Sequence, residues 1–122
     1  TDEERTIQHL QYTAWPDHGV PEDSRQFLTF VNEVRRYRSA SSAPIVVHCS
    51  AGVGRSGVFI AVETACCLIE AGVAVYPEQM LDTLRDQRPS LIQTPGQFKF
   101  TCETFLDIYQ EHFLKMKSMN GT

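Results

Sequence analysis

Apolar and polar positions alternate loosely through residues 5 to 15, "RTIQHLQYTAW", with Leu10, Tyr12 and Ala14 on one side. A period near two, in a stretch holding Thr, Tyr, Ile and Trp, predicts a strand. The pattern breaks at "PDHGVPED", whose Pro, Gly and Asp predict a loop of special geometry. A helical period follows. Ser24 is placed to cap a helix running to about residue 39, with Phe27, Phe30, Val31 and Val34 as its buried stripe. "SASSAP" reads as an exposed turn. "PIVVHC", residues 44 to 49, is a short continuous apolar run and predicts a strand covered on both faces. "SGVFIAVETACCLIEAG", apolar almost throughout, predicts a buried helix ended by Gly72. Pro77 opens a helix to about residue 87, with Met80, Leu81 and Leu84 inward. Pro89 and Pro95 bracket a loop, and a last helix from about residue 96 to 115 carries Phe98, Phe100, Phe105, Ile108 and Tyr109. Strand, helix, strand, helix, helix, helix is an α/β pattern. No repeat or interdomain linker interrupts it.

Composition narrows the partners. The chain has 122 residues, enough for one core and not two. A formal charge of -4 gives no reason to expect nucleic acid or an anionic membrane as partner, so any anion site has to be local. The cysteines are Cys49, Cys66, Cys67 and Cys102; two are adjacent, and no disulfide framework is apparent. No apolar run approaches the ~18 residues of a membrane span. A reduced, cytoplasmic setting without membrane insertion is the expectation. Cys66, Cys67 and Cys102 are expected to pack in the core. Arg35, Arg36 and Arg38 are expected to cap helix carbonyls or face solvent.

The candidate chemistry lies in "VHCSAGVGRSG", residues 47 to 57, which reads two ways. Gly52, Gly54 and Gly57 have the G-x-G-x-x-G spacing of a dinucleotide site. Such a site also needs an acidic residue at the end of a following strand about 20 residues on. Pro77 and Glu78 stand there instead, at a predicted helix start. The same stretch sets Cys49 and Arg55 at the two ends of a C-x5-R loop. A glycine-containing loop leading into a helix points successive N–H groups inward and makes an anion cradle. A thiol at its mouth should have a pKa well below the usual ~8.5 and act as a thiolate nucleophile. Arg55 can bind two phosphate oxygens with its planar fork. Ser50, Ala51, Gly52, Val53 and Gly54 are small enough for the backbone to wrap a tetrahedral dianion. A phosphate ester also needs an acid for its leaving oxygen. Asp17 is the candidate, on a loop stiffened by Pro16, loosened by Gly19 and anchored by Trp15, a composition that suits a lid.

Together "WPDHGVP", "VHCSAGVGRSG" and "QTPGQFKF" resemble the tyrosine-specific protein tyrosine phosphatases. The resemblance covers nearly the whole chain and matches the C-terminal part of that family's catalytic domain, residues 1–122. In its wider wording the sequence resembles the non-receptor members that carry FERM and PDZ modules. The resemblance implies a mixed sheet flanked by helices, with the cysteine loop between a strand end and a helix N-terminus. It implies hydrolysis of phosphotyrosine in proteins through a cysteinyl-phosphate intermediate. Cys49 would attack phosphorus while Arg55 and the N–H groups of residues 50 to 55 hold the oxygens. Asp17 would act as general acid and then as base, Gln97 would position the water, and Gln93 would assist. Ser56 would donate a hydrogen bond to the departing thiolate, and its other reading is a helix N-cap. His48 would order the loop through hydrogen bonds. Arg85 and Arg88 would brace the glutamine loop or touch substrate flanks. No metal or cofactor is implied; His9, His18 and His112 form no ligand set. The implied partners are phosphotyrosine-containing proteins, together with the upstream part of the domain that completes the pocket. A non-catalytic phosphotyrosine-binding module is the alternative, disfavoured because Cys49, Arg55 and Asp17 are all present.

Overall fold

The structure, a computed structural model, describes residues 3–15 and 19–119. Four helices form among them: α1 (Ser24–Ser39), α2 (Gly54–Glu70), α3 (Pro77–Gln87) and α4 (Pro95–Met119). All four were legible in the periodicity, and α4 runs a turn further than its pattern indicated. The expected strands are not formed among the described residues. Residues 5 to 15 and 44 to 49 have no ladder, because a strand needs a neighbour for its N–H and C=O groups and no described segment supplies one. Burial follows from that. Val46 is 90% exposed and Ile45 39% exposed, the reverse of a run covered on both faces. Leu10 and Tyr12 are half-buried while Ala14 is exposed, so the first alternation is realised only in part.

Helix ends follow local chemistry. Asp23, not Ser24, caps α1: its Oδ1 accepts from the N–H groups of Arg25 (2.9 Å) and Gln26 (3.4 Å). The Ser24 hydroxyl is thereby released to donate to Asp107 on α4. Gly72 ends α2 as predicted, in the left-handed conformation at φ +77°. Its N–H bonds the Ile69 carbonyl (3.0 Å) and the Val73 N–H bonds that of Leu68 (2.9 Å), the Schellman arrangement that suits glycine.

Helix α2 is central and packs against α1 and α4, touching α3 less. Phe27, Leu28 and Val31 of α1 meet Val58, Val62, Ala65, Cys66 and Ile69 of α2 and Phe100, Phe105 and Ile108 of α4. Leu28 joins the predicted stripe, whereas Phe30 and Val34 are only partly buried. Thr101 and Thr104 are fully buried, and their hydroxyls donate back to the carbonyls of Gln97 (2.8 Å) and Phe100 (2.9 Å), which spares α4 two unsatisfied polar groups. Full burial of a side chain the size of Phe27 stabilises by about 1.5–3 kcal/mol.

Three expectations about polar residues change. Arg35 does not cap α1 but forms a two-pronged pair with Glu70 of α2, at 3.0 and 2.6 Å. Arg38 pairs with Glu63, a carboxylate buried on α2. Of the three cysteines assigned to the core, only Cys66 is buried; Cys67 is exposed and Cys102 half-buried. Burial pushes the Cys66 thiol up to about 11, so it is an unreactive packing group.

Candidate active site

Residues 50 to 53 form a bend between the segment ending at Cys49 and the N-terminus of α2. Gly52 sits at φ +75°, where a side chain would be strained, and this lets the loop turn tightly over the helix start. No side chain caps α2. Its first N–H groups are consequently left for an anion or a sulfur.

Cys49 lies at the mouth of this bend, half-buried. Burial by itself raises its pKa, but hydrogen bonding outweighs it. The Ser56 side chain and the N–H groups of Ser56, Gly52 and Ala51 favour the thiolate and bring the pKa from 9.0 to about 7. The Ser56 hydroxyl is 3% exposed and no acceptor meets it in hydrogen-bonding geometry. The hydroxyl is therefore a buried donor beside the sulfur, left without a partner among the described residues. Arg55 bends back across the loop, its guanidinium donating to the Ser50 hydroxyl at 2.6 Å. Arg55 thus meets Ser50, the residue after Cys49, across the bend.

The glutamine loop docks directly on this cradle. Ile92 N–H donates to the Val53 carbonyl at 2.8 Å. Gly57 is buried against the same segment: a Cβ there would lie 2.5 Å from Ile92 N and 3.2 Å from Leu91 C. Ser90 and Ile92 adopt positive φ, 69° and 61°. For β-branched Ile92 this costs on the order of 1–3 kcal/mol and persists only where the surroundings hold it. Arg85 is what holds it, donating from Nε to Leu91 O (2.9 Å) and from its terminal nitrogen to Ile92 O (2.8 Å). Arg88 reaches the cradle itself, with Nε donating to Gly52 O at 2.8 Å.

The two glutamines are placed differently. Gln97 is buried, and its Oε1 accepts from the N–H groups of Gln93 (2.8 Å) and Thr94 (3.2 Å) while the Thr94 hydroxyl accepts from Gln97 N–H (3.1 Å). That is a capping box over T-P-G-Q. The motif was readable in the sequence and was overlooked, so Thr94 is a site residue the sequence reading missed. Gln93 is exposed. A Cβ on Gly54 would lie 3.0 Å from Gln93 Oε1 and 3.1 Å from Gln97 Nε2, so both amides border the cradle where a glycine leaves them room.

Asp17, the expected acid, lies outside the described residues, as do Pro16 and His18. Trp15 beside it is well held. Its Nε1–H donates to Gly19 O (2.8 Å), and its ring meets Phe27 and Phe100 edge-on at 5.4 and 5.8 Å. His48 is exposed and stacks on His9 at 5.9 Å, and its ring makes no hydrogen bond among the described residues.

A thiol of lowered pKa beside a helix N-terminus, an arginine folded back on its loop and two amides at the rim thus stand together at one site. The model of the protein-tyrosine phosphatase family matches residues 1–107, and the chain belongs to that family. It is 55% identical over 114 residues to the tyrosine-protein phosphatase non-receptor type 4 of Mus musculus, a match covering 93% of this chain and 12% of that protein. Tyrosine-protein phosphatase 1 of Caenorhabditis elegans is likewise 55% identical, over 115 residues that make up 94% of this chain and 11% of the relative. The non-receptor type 2 enzyme of Mus musculus is 48% identical over 103 residues, covering 83% and 25%. The chain thus spans about an eighth or less of the first two relatives and a quarter of the third. No helix among the described residues is long and apolar enough to cross a membrane.

Proposed function

We propose that this chain is the C-terminal portion of a protein tyrosine phosphatase catalytic domain and carries its chemistry, the hydrolysis of phosphotyrosine in proteins. The observation that carries the reading is Cys49 at the mouth of the uncapped N-terminus of α2, its pKa lowered there, with Arg55 folded back onto Ser50 beside it. In the first step the Cys49 thiolate forms an S–P bond as the bond from phosphorus to the tyrosyl oxygen breaks, and Asp17 donates its proton to that oxygen. In the second, water attacks phosphorus, Asp17 takes the water proton, and the thiolate leaves with inorganic phosphate as product. Arg55 and the N–H groups hold the oxygens through both steps, and the Ser56 hydroxyl stabilises the departing sulfur.

Geometry reapportions the glutamines. An amide that orients water toward phosphorus needs a free carbonyl acceptor, and Gln97 Oε1 is occupied by two backbone N–H groups. Gln93, exposed and bordering Gly54, is the residue with an acceptor to offer. We assign the water to Gln93 and the shaping of the loop to Gln97. Segments 5 to 15 and 44 to 49 are read as strands of the family's mixed sheet, with their partners in the remainder of the domain. The non-receptor names of the relatives favour a cytoplasmic protein.

The test is release of phosphate from a phosphotyrosine peptide by this chain, alone and joined to the rest of its domain, beside Cys49→Ser. Phosphate release from the complete domain that vanishes with Cys49→Ser is the expected result. A silent wild-type domain, or an active Cys49→Ser variant, refutes the mechanism.

A further inference from the structure

Three carbonyl contacts on the outside of the cysteine loop explain how its inside becomes a phosphate site. The loop peptides are trans, and in a planar trans peptide the C=O and the following N–H point in opposite directions. Whatever holds a carbonyl on one side therefore aims the next N–H to the other. Arg88 Nε holds Gly52 O at 2.8 Å, which aims the N–H of Val53. Ile92 N–H and Gly57 N–H hold Val53 O at 2.8 and 3.2 Å, which aims the N–H of Gly54. Neither the Val53 nor the Gly54 N–H has an acceptor among the described residues, so both donors stand open. Arg88 is exposed, and among the described residues its contact is the Gly52 carbonyl and no carboxylate.

We propose that Arg88 is a positioning residue of the phosphate cradle: by holding the Gly52 carbonyl outward it turns the Val53 N–H toward bound phosphate. Arg88 touches no reacting atom; it acts through one peptide plane. The inference rests on the phosphatase reading of the site and adds a selectivity that reading lacks. The N–H groups of Ala51, Gly52 and Ser56, which favour the Cys49 thiolate, lie in other peptide planes than the Gly52–Val53 plane that Arg88 holds. Releasing the Gly52 carbonyl should therefore weaken phosphate binding while leaving the thiolate as it was.

The experiment uses Arg88→Met and Arg88→Gln in whichever form of the wild type, this chain or its longer parent, hydrolyses a phosphotyrosine peptide. The probes are competitive inhibition by inorganic phosphate, kcat/KM, and the pH dependence of Cys49 alkylation by iodoacetamide. Arg88→Met removes the donor and should weaken phosphate inhibition about tenfold or more, as expected for a lost hydrogen bond to a charged group. It should lower kcat/KM by at least as much and leave the alkylation midpoint near pH 7. Glutamine carries an N–H on the same side-chain atom count as arginine Nε but no charge, so Arg88→Gln should stay within about threefold of wild type. If Arg88→Gln is as weak as Arg88→Met, the charge matters and the proposal is overturned. It is equally overturned if Arg88→Met binds phosphate like wild type, or if its alkylation midpoint moves together with the loss of binding. Amide NMR of the wild type needs no variant: inorganic phosphate should shift the Val53 N–H strongly, and an unmoved Val53 signal refutes the idea. A wild type inactive in both forms overturns the phosphatase reading and this inference together. Activity with an unaffected Arg88→Met overturns this inference alone.

Discussion

Alanine in place of Gly57 sets helix propensity against packing. Gly57 lies in the first turn of α2, and in an open helix Gly→Ala stabilises by about 1 kcal/mol. Here the new Cβ would stand 2.5 Å from the backbone nitrogen of Ile92 and 3.2 Å from two atoms of Leu91. Ordinary contact begins near 3.4 Å, so the glutamine loop must retreat by about 0.9 Å. The atom in the way is backbone, held by Arg85 and by its own left-handed conformation, and it has no rotamer in which to escape. Retreat lengthens the Ile92–Val53 hydrogen bond from 2.8 Å past its useful range. Overpacking of about 1–3 kcal/mol and a lost hydrogen bond of about 1 kcal/mol outweigh the propensity gain. Gly57→Ala should be destabilised by roughly 1–3 kcal/mol in urea denaturation. Its kinetic signature is more specific. The glutamines move away from the cradle while Cys49 and Arg55 stay, so a burst of released tyrosine should persist and hydrolysis of the cysteinyl-phosphate should slow about tenfold or more. A Gly57→Ala protein more stable than wild type, or one with both steps unchanged, would refute the claim that the loop is clamped on α2.

Iodoacetamide should alkylate Cys49 with a midpoint near pH 7 rather than 9.0, and because the folded pKa is the lower one, the thiolate's contribution to stability is complete above pH 9.0 and lost as pH falls through 7. The difference in urea midpoint between wild type and Cys49→Ala should accordingly open only above pH 7. Arg38→Ala leaves the buried Glu63 carboxylate unpaired and should cost about 1–3 kcal/mol in urea denaturation, largely restored by adding Glu63→Gln. Arg35→Ala, whose partner Glu70 is 54% exposed, should cost under about 1 kcal/mol by the same measurement. Thr94→Ala removes the capping hydroxyl of α4 and should cost about 1 kcal/mol in thermal melts, with Thr94→Ser retaining nearly all of it.

What proved legible in the sequence was whatever depends on near neighbours. The four helices follow from apolar spacing, Pro77 and Gly72, and the turn of the C-x5-R loop follows because a bend entering a helix brings residues 50 and 55 together whatever surrounds them. The capping box at Thr94 and Gln97 is equally local, its partners lying three and four residues apart. Strands were different in kind. A strand at 44 to 49 is a statement about a neighbour, and the apolar run there records a demand for cover that the described residues do not meet.

The sequence by itself determined the family and the proposed reactive group, since a cysteine, an arginine six residues on and small residues between them can cradle a tetrahedral anion. Tertiary structure alone decided how that cradle is supported. Arg88 on Gly52 O, Ile92 on Val53 O, Arg85 on the strained loop and the close approach of Gly57 all join residues more than five apart in sequence. It also brought both glutamines to the cradle, since Gln93 Oε1 and Gln97 Nε2 reach Gly54 only through the docking of their loop on α2. The reason is one of range: helix signals and a seven-residue loop are encoded within a turn or two of backbone, whereas the direction of a single N–H depends on what holds the carbonyl behind it.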